Sequence, residues 1–446
     1  MIINHHDPSG WRDYQRRLKR DTRRKYLQKN LPALVLYSTG SFLLLVFMFC
    51  IGSWILGYLS QASLNPPDTN KQSNIALKKP PAKDPANLLK ELNLRSAQFM
   101  DHFVVDKGDE HFDITSSIDL PLQDYILHLL RRSKTIQAAV VVQRPDDGRI
   151  LAMVNYDKEG NGQNLCIKAD FPAASVFKIV SAAAALESAG YTPDKPVFFQ
   201  GRRHTLYKQQ LKQTKNKYTN KITFRKAFAS SVNSVFGKLG IFDLGQDLMS
   251  DYANRFLFNR VIPFDFPVEM STIQIPVDDY GLAEIASGFN RETLISPLHA
   301  VLLASVVANN GILMAPWLVE NISSESGEIL YHRKTAQLGS PISGKTAEDL
   351  KVLMRDTVVY GTCRKSFRPL RRKKAFKGID FGAKTGTIND KKDQFKYDWL
   401  TGYVLPQNGT KAISIAVLAV HGEKLGLRSS ELGRYIIKYY LTPKKS

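Results

Sequence analysis

At 446 residues the chain has room for two or three average domains, and its 43% hydrophobic content is ordinary for a protein with one real core. The charge is not ordinary: 62 lysines and arginines against 41 aspartates and glutamates leave a net +21, which points to an anionic partner. Nucleic acid is the first partner such a charge suggests, and the topology read next argues against it.

Residues 1–30 form a basic leading segment carrying Arg12, Arg16, Arg17, Lys19, Arg20, Arg23, Arg24, Lys25 and Lys29. From Leu34 to Leu59 no residue is charged, a run longer than the ~20 apolar residues that span a bilayer. Only Asp68 and Lys71 follow before the Lys78-Lys79 pair. This imbalance places the N-terminus in the cytoplasm and everything past Leu59 outside. Residues 31–59 therefore read as a transmembrane anchor, with Trp54 and Tyr58 suited to its outer interface. Ser60-Gln61-Ala62 would also pass as a signal-peptide cleavage site, but the apolar run exceeds the roughly 7–15 residues of a signal core. The expectation is a single-pass protein of the cytoplasmic (inner) membrane.

Residues 60–110 read as a tether, because Pro66-Pro67, Lys78-Lys79-Pro80-Pro81 and Pro85 break regular structure; Leu88-Leu89 and Leu92 to Phe99 have the makings of a short helix. Residues 111–446 read as one domain. Within it, 138–143 and 149–155 are expected strands around the turn Asp146-Asp147-Gly148. The apolar, alanine-rich stretch from Ser175 to Ala185 reads as a buried helix. Helices fill the middle; 382–387, 399–405 and 412–420 read as three further strands, and Ser429–Leu441 as a closing helix. Strands at both ends with helices between give an α+β fold around an antiparallel sheet.

Three short words stand in order along this domain: Ser175-Val176-Phe177-Lys178, Ser231-Val232-Asn233 and Lys384-Thr385-Gly386-Thr387. They are the parts of a serine acyl-transferase that works with lysine instead of histidine. A serine hydroxyl needs a base within hydrogen-bond reach, and on a helix Lys178 lies one turn from Ser175 on the same face. Each word has a bland reading: a buried helix serine, an exposed lysine, a helix cap at Ser231 and Asn233, a strand running into a turn at 384–387. Their joint order outweighs these.

The sequence around the words resembles the transpeptidase domain of penicillin-binding proteins, from about Asp113 to about Lys438. The resemblance is carried by Ser116 to Gln123, Gln137 to Val142, Asp147 to Val154, Ala286-Ser287-Gly288-Phe289, Ser296-Pro297-Leu298, Ala308 to Gly311 with Pro316, Gly361-Thr362 and Asp398 to Tyr403. It implies the fold shared by penicillin-binding proteins and β-lactamases, an antiparallel sheet packed by helices, here preceded by one transmembrane helix. It also implies D,D-transpeptidase activity on peptidoglycan stem peptides ending in D-Ala-D-Ala, with inhibition by β-lactam antibiotics. Ser175 would be the nucleophile, Lys178 its base and Ser231 the proton relay. Asn233 would hold the substrate amide, Lys384 and Thr385 would face the terminal carboxylate, and Gly386 would let the acyl chain approach the backbone. Backbone N–H groups of Ser175 and Thr387 would form the oxyanion hole. No metal or cofactor is expected. Partners are the stem peptides, β-lactams, the membrane and other cell-wall synthesis proteins. The tether is too short for the glycosyltransferase or pedestal domain that larger family members carry.

Two departures stand out. The family has Pro-Gly before its nucleophile where Ala173-Ala174 stand here, and a charged insert from Asn389 to Lys396 follows the third word. Of three cysteines, Cys50 lies in the anchor, while Cys166 and Cys363 would face an oxidising side that permits a disulfide; two free thiols are the favoured reading. The basic stretches 202–226 and 364–377 read as loops near the cleft, either simply solvated or forming a positive rim for anionic wall polymer or lipid headgroups. Rival functions are a class D-type β-lactamase, whose active-site segment Pro172 to Ile179 resembles, a D,D-carboxypeptidase, and a non-catalytic β-lactam sensor.

Overall fold

A computed structural model describes residues 100–442 apart from 108–109, 161 and 407–411. The expected anchor and the tether up to residue 99 lie outside the described residues. Among the described residues no helix is long and apolar enough to cross a membrane.

The described chain opens with a hairpin, β1 (His102–Lys107) and β2 (Glu110–Ser116), then α1 (Leu120–Arg131) and a second hairpin, β3 (Gln137–Gln143) and β4 (Ile150–Asp157). A helical middle follows: α2 (Lys178–Ser188), α3 (Phe224–Ala229), α4 (Asn233–Leu239), α5 (Gly245–Arg255), α6 (Asp279–Ser287) and α7 (Pro297–Ala308). Next come a third hairpin, β5 (Val319–Ser324) and β6 (Ile329–His332), and helices α8 (Gly344–Val359) and α9 (Arg364–Arg371). The meander β7 (Asp380–Asn389), β8 (Lys396–Leu405), β9 (Ile413–His421) and helix α10 (Ser429–Leu441) complete it.

The central sheet is five-stranded and antiparallel, in the order β7-β8-β9-β3-β4. β9 is buried at every position, which is why its sequence is a continuous apolar run instead of an alternation. One of its faces packs against α7, whose residues are all buried, as expected of a helix apolar all round. The other face is covered by α1 and α10 through Leu122, Ile126, Leu432 and Ile436. Ser296 caps α7 by accepting the His299 N–H at 3.1 Å, with Pro297 opening the helix.

Three expectations are corrected. The tether boundary at 110 is too late: β1 already pairs with β2, bringing Val105 opposite Phe112 with both side chains buried. Residues 364–377 are not a plain loop; Phe367 and Leu370 anchor α9 to the core while its charged residues stay exposed. The stretch 202–226 is likewise partly ordered, with a short strand at Asn220–Thr223 paired to Pro196–Phe199 and the first residues of α3. The insert after the third word lengthens the β7–β8 hairpin, whose last pair is Asn389 with Lys396. Cys166 and Cys363 are free and buried, and burial pushes both thiols up to about 12.

Candidate active site

Ser175 sits in a single tight turn of 3-10 helix, Ala174–Phe177, rather than in the α-helix expected there; α2 begins at Lys178. The three-residue spacing still brings the two side chains together. Lys178 Nζ lies 2.8 Å from Ser175 Oγ, 2.8 Å from Asn233 Oδ1, and in contact with the Ser287 carbonyl oxygen. A neutral amine has two hydrogens and one lone pair. The amide and carbonyl oxygens take the two hydrogens, which leaves the lone pair for the Ser175 hydroxyl proton. Burial, reinforced by the charge of Lys384, holds the Lys178 ammonium well below the usual lysine range. The geometry thus sets a buried amine of lowered pKa directly against the Ser175 hydroxyl.

The second word lies where α3 breaks and α4 begins, with Ser231 in the left-handed region at φ 53°. That turn aims Ser231 Oγ at Lys384, whose Nζ donates to it at 3.0 Å and to the Thr385 carbonyl at 2.8 Å. Lys384 is fully buried and its pKa is brought down to about 7 by desolvation. Phe236 and Phe228 floor the two amines, with ring centroids 5.4 Å from Lys178 Nζ and 5.6 Å from Lys384 Nζ. Asn233 is not a plain helix cap: its Nδ2 donates to the His204 carbonyl at 3.0 Å while its Oδ1 takes Lys178.

The third word behaves differently from the expectation. Successive residues of a strand point to opposite faces, so Lys384 turns inward to Ser231 while Thr385 faces the cleft, where its hydroxyl meets that of Thr362 at 2.6 Å. Thr362, Thr385 and Thr387 line the cleft, and Lys384 is not among its lining residues. Gly386 lies tight against the nucleophile turn: a Cβ there would stand 3.1 Å from the Ser175 nitrogen and 3.2 Å from Ala174 Cβ. β7 is the edge strand of its sheet, so backbone groups on its outer side are open to a bound chain.

Residues missed from sequence complete the site. Gly288 holds φ +63°, and a Cβ on it would lie 1.9 Å from the Ala174 carbonyl oxygen. Its neighbour Ser287 supplies the carbonyl that binds Lys178. His204 and Phe289 help line a cleft of about 370 Å³ that also holds Ser175, Ser231, Asn233, Thr385 and Thr387. Burial, then the Lys178 charge, lowers the His204 pKa. Ala-Ser-Gly-Phe was visible as a pattern; the backbone role of its serine was not.

A buried lysine stands on one serine hydroxyl, with a second serine–lysine pair beside it. The family profile described as the penicillin binding protein transpeptidase domain matches residues 138–435. The chain belongs to this family. Curated relatives include stage V sporulation protein D of Bacillus subtilis, 25% identical over 57% of this chain and 40% of the relative. The peptidoglycan D,D-transpeptidase PbpA of Mycolicibacterium smegmatis is 24% identical over 63% of this chain and 62% of its own length. The Mycobacterium tuberculosis PbpA reaches 25% over 68% and 66%, so the chain spans less than two thirds of each. Among solved structures, the D,D-transpeptidase domain of a peptidoglycan glycosyltransferase from Eggerthella lenta gives a TM-score of 0.61 at 23% identity, covering 74% of this chain and 82% of that one. PBPA from Mycobacterium tuberculosis gives 0.60 at 23%, with the same coverage. The penicillin-binding-protein transpeptidase fold is therefore that of this chain.

Proposed function

We propose that this member of the family is a penicillin-sensitive D,D-transpeptidase that cross-links peptidoglycan stem peptides through an acyl-enzyme on Ser175. The observation that carries the reading is the Ser175–Lys178–Asn233 cluster joined to the Ser231–Lys384 pair in one cleft. Ser175 Oγ attacks the carbonyl carbon of the penultimate D-Ala as its proton passes to Lys178. The oxyanion forms between the backbone N–H groups of Ser175 and Thr387, each such donor being worth about 3 kcal/mol. The proton then reaches the leaving D-Ala nitrogen through Ser231, whose hydroxyl Lys384 orients. An acceptor amine finally takes the acyl group and returns a proton to Ser175.

The lifetime of the acyl-enzyme is what separates this reading from β-lactamase action. The finer architecture belongs to the same proposal: residues 31–59 as an uncleaved anchor, a cytoplasmic N-terminus, a catalytic domain outside the cytoplasmic membrane, and partners among the cell-wall synthesis proteins. Intact mass after incubation with a penicillin tests it, with Ser175→Ala in parallel. A stable adduct absent from the variant is expected. An adduct lost within seconds as drug is consumed would make this a β-lactamase, and no adduct would end the acyl-enzyme reading.

A further inference from the structure

In the proposed reaction the attacking nitrogen of the acceptor must stand where the leaving D-Ala nitrogen stood. Its chain then runs out of the cleft on the leaving-group side, past Thr385 and Thr362, and not past Thr387, where the acyl chain lies. The structure has a second concavity on that side. Thr362 lines the cleft, while Val359 just before it and Arg364 just after it line a separate groove of about 460 Å³. The other lining residues are Lys365, Arg368, Arg371 and Arg372. All five cationic side chains are exposed, and residues 360–379 contain no aspartate or glutamate. Among the described residues none of the five forms an ion pair, whereas Arg355 on the preceding helix is paired with Asp380 at 2.6 Å. Phe367 and Leu370 are buried and fix the helix that carries them.

Arg371 donates to the Val358 and Val359 carbonyls at 3.4 Å, and the other four cations, without a carboxylate partner among the described residues, make the groove a receptor for carboxylates, because guanidinium groups bind them with two parallel hydrogen bonds. The concave form suits a chain better than a flat lipid surface. We infer that the α9 groove is the docking site for the acceptor strand, which it recognises through the free carboxylates of an anionic stem peptide. The inference rests on the transpeptidase reading. The chemical step balances without further reagents: the Ser175 ester bond breaks, the amide forms, and the amine proton goes to Ser175 Oγ.

The test uses the full chain in detergent with a thioester donor ending in D-Ala and two acceptor peptides of one sequence, one with free carboxylates and one with those carboxylates amidated. The ratio of transfer to hydrolysis is read in a single tube against acceptor concentration. Wild type should half-saturate with the carboxylate peptide at about tenfold lower concentration than with the amidated one, the scale of a lost charged hydrogen bond. Arg364→Gln with Arg368→Gln should abolish the difference, and Lys212→Gln with Lys217→Gln, an equal loss of charge elsewhere, should keep it. A groove variant that retains the preference, or a loop variant that loses it equally, overturns the inference. So does a groove variant that only weakens binding to phosphatidylglycerol vesicles, which would make the groove a lipid site. If wild type forms no acyl-enzyme, or transfers to neither peptide, the transpeptidase reading fails and the inference falls with it.

Discussion

The turn before Ser175 stores backbone strain, as the turn at Ser231 does. Ala174 is held at φ 48°, where a residue with a Cβ costs about 1–2 kcal/mol, and this is the position at which the family has glycine. Ala174→Gly should therefore leave the thermal midpoint unchanged or raise it, since relief of strain offsets the ~0.8 kcal/mol lost with a buried methyl. Gly288→Ala should do the opposite, losing about 1–3 kcal/mol to its positive φ alone; the clash with the Ala174 carbonyl should also slow penicillin acylation. Paired thermal melts and acylation rates check both. The buried amines set the pH dependence of stability. Lys384 has a folded pKa of about 7 against ~10.4 in an unfolded chain, so the unfolded state binds more protons between those values. Stability should rise with pH across that window, with Lys178 acting in the same direction. Lys384→Met should flatten the curve, which urea midpoints from neutral to alkaline pH would show.

At the scale of elements, what could be read in advance depended on where the information lies. The three words were legible because acyl transfer fixes residue types at fixed spacings. The strands β3 and β9 were legible because long apolar runs have few other uses, and β7 because the third word marks it, although pairing carries β7 two residues beyond the expected range at each end. β1 was not, because its identity comes from its partner: only pairing with β2 buries Val105. Nor was α9, where Phe367 and Leu370 are two apolar anchors in a basic stretch. The Ser287 carbonyl was invisible in principle, since every residue offers the same backbone oxygen. α7 is the element on which the sheet rests, and it tests the packing directly. Leu303 is fully buried, so Leu303→Ala should cost about 2–5 kcal/mol, measured by denaturant unfolding. Ser296→Ala, which removes only the cap, should cost about 1 kcal/mol.

For the molecule as a whole, the catalytic words come from distant parts of the chain, and the sheet and the helical layer hold them together. Trp399 on β8 donates its indole N–H to the Pro172 carbonyl at 3.0 Å, tying the sheet to the strand that leads into Ser175. Thr401 on the same strand donates to the Ala300 carbonyl of α7 at 2.6 Å. The second sheet, β1-β2-β5-β6, joins the start of the described chain to residues more than two hundred positions later. A fragment beginning at residue 100 should therefore melt higher than one beginning at 111, which loses β1 and exposes the edge of β2; calorimetry of the two fragments decides this.

The outer side of β7 has one more consequence. A sheet that ends in an unpaired strand offers itself to any extended segment, including the same strand of another copy, and that is how ladders between molecules begin. Here Arg291 donates to the Asn389 carbonyl at 2.8 Å, occupying the acceptor at the far end of the strand. The turn beyond it exposes Lys391 and Lys392, charges that act as gatekeepers against stacking. An edge open beside Ser175 is thus guarded at its far end against a second copy of itself.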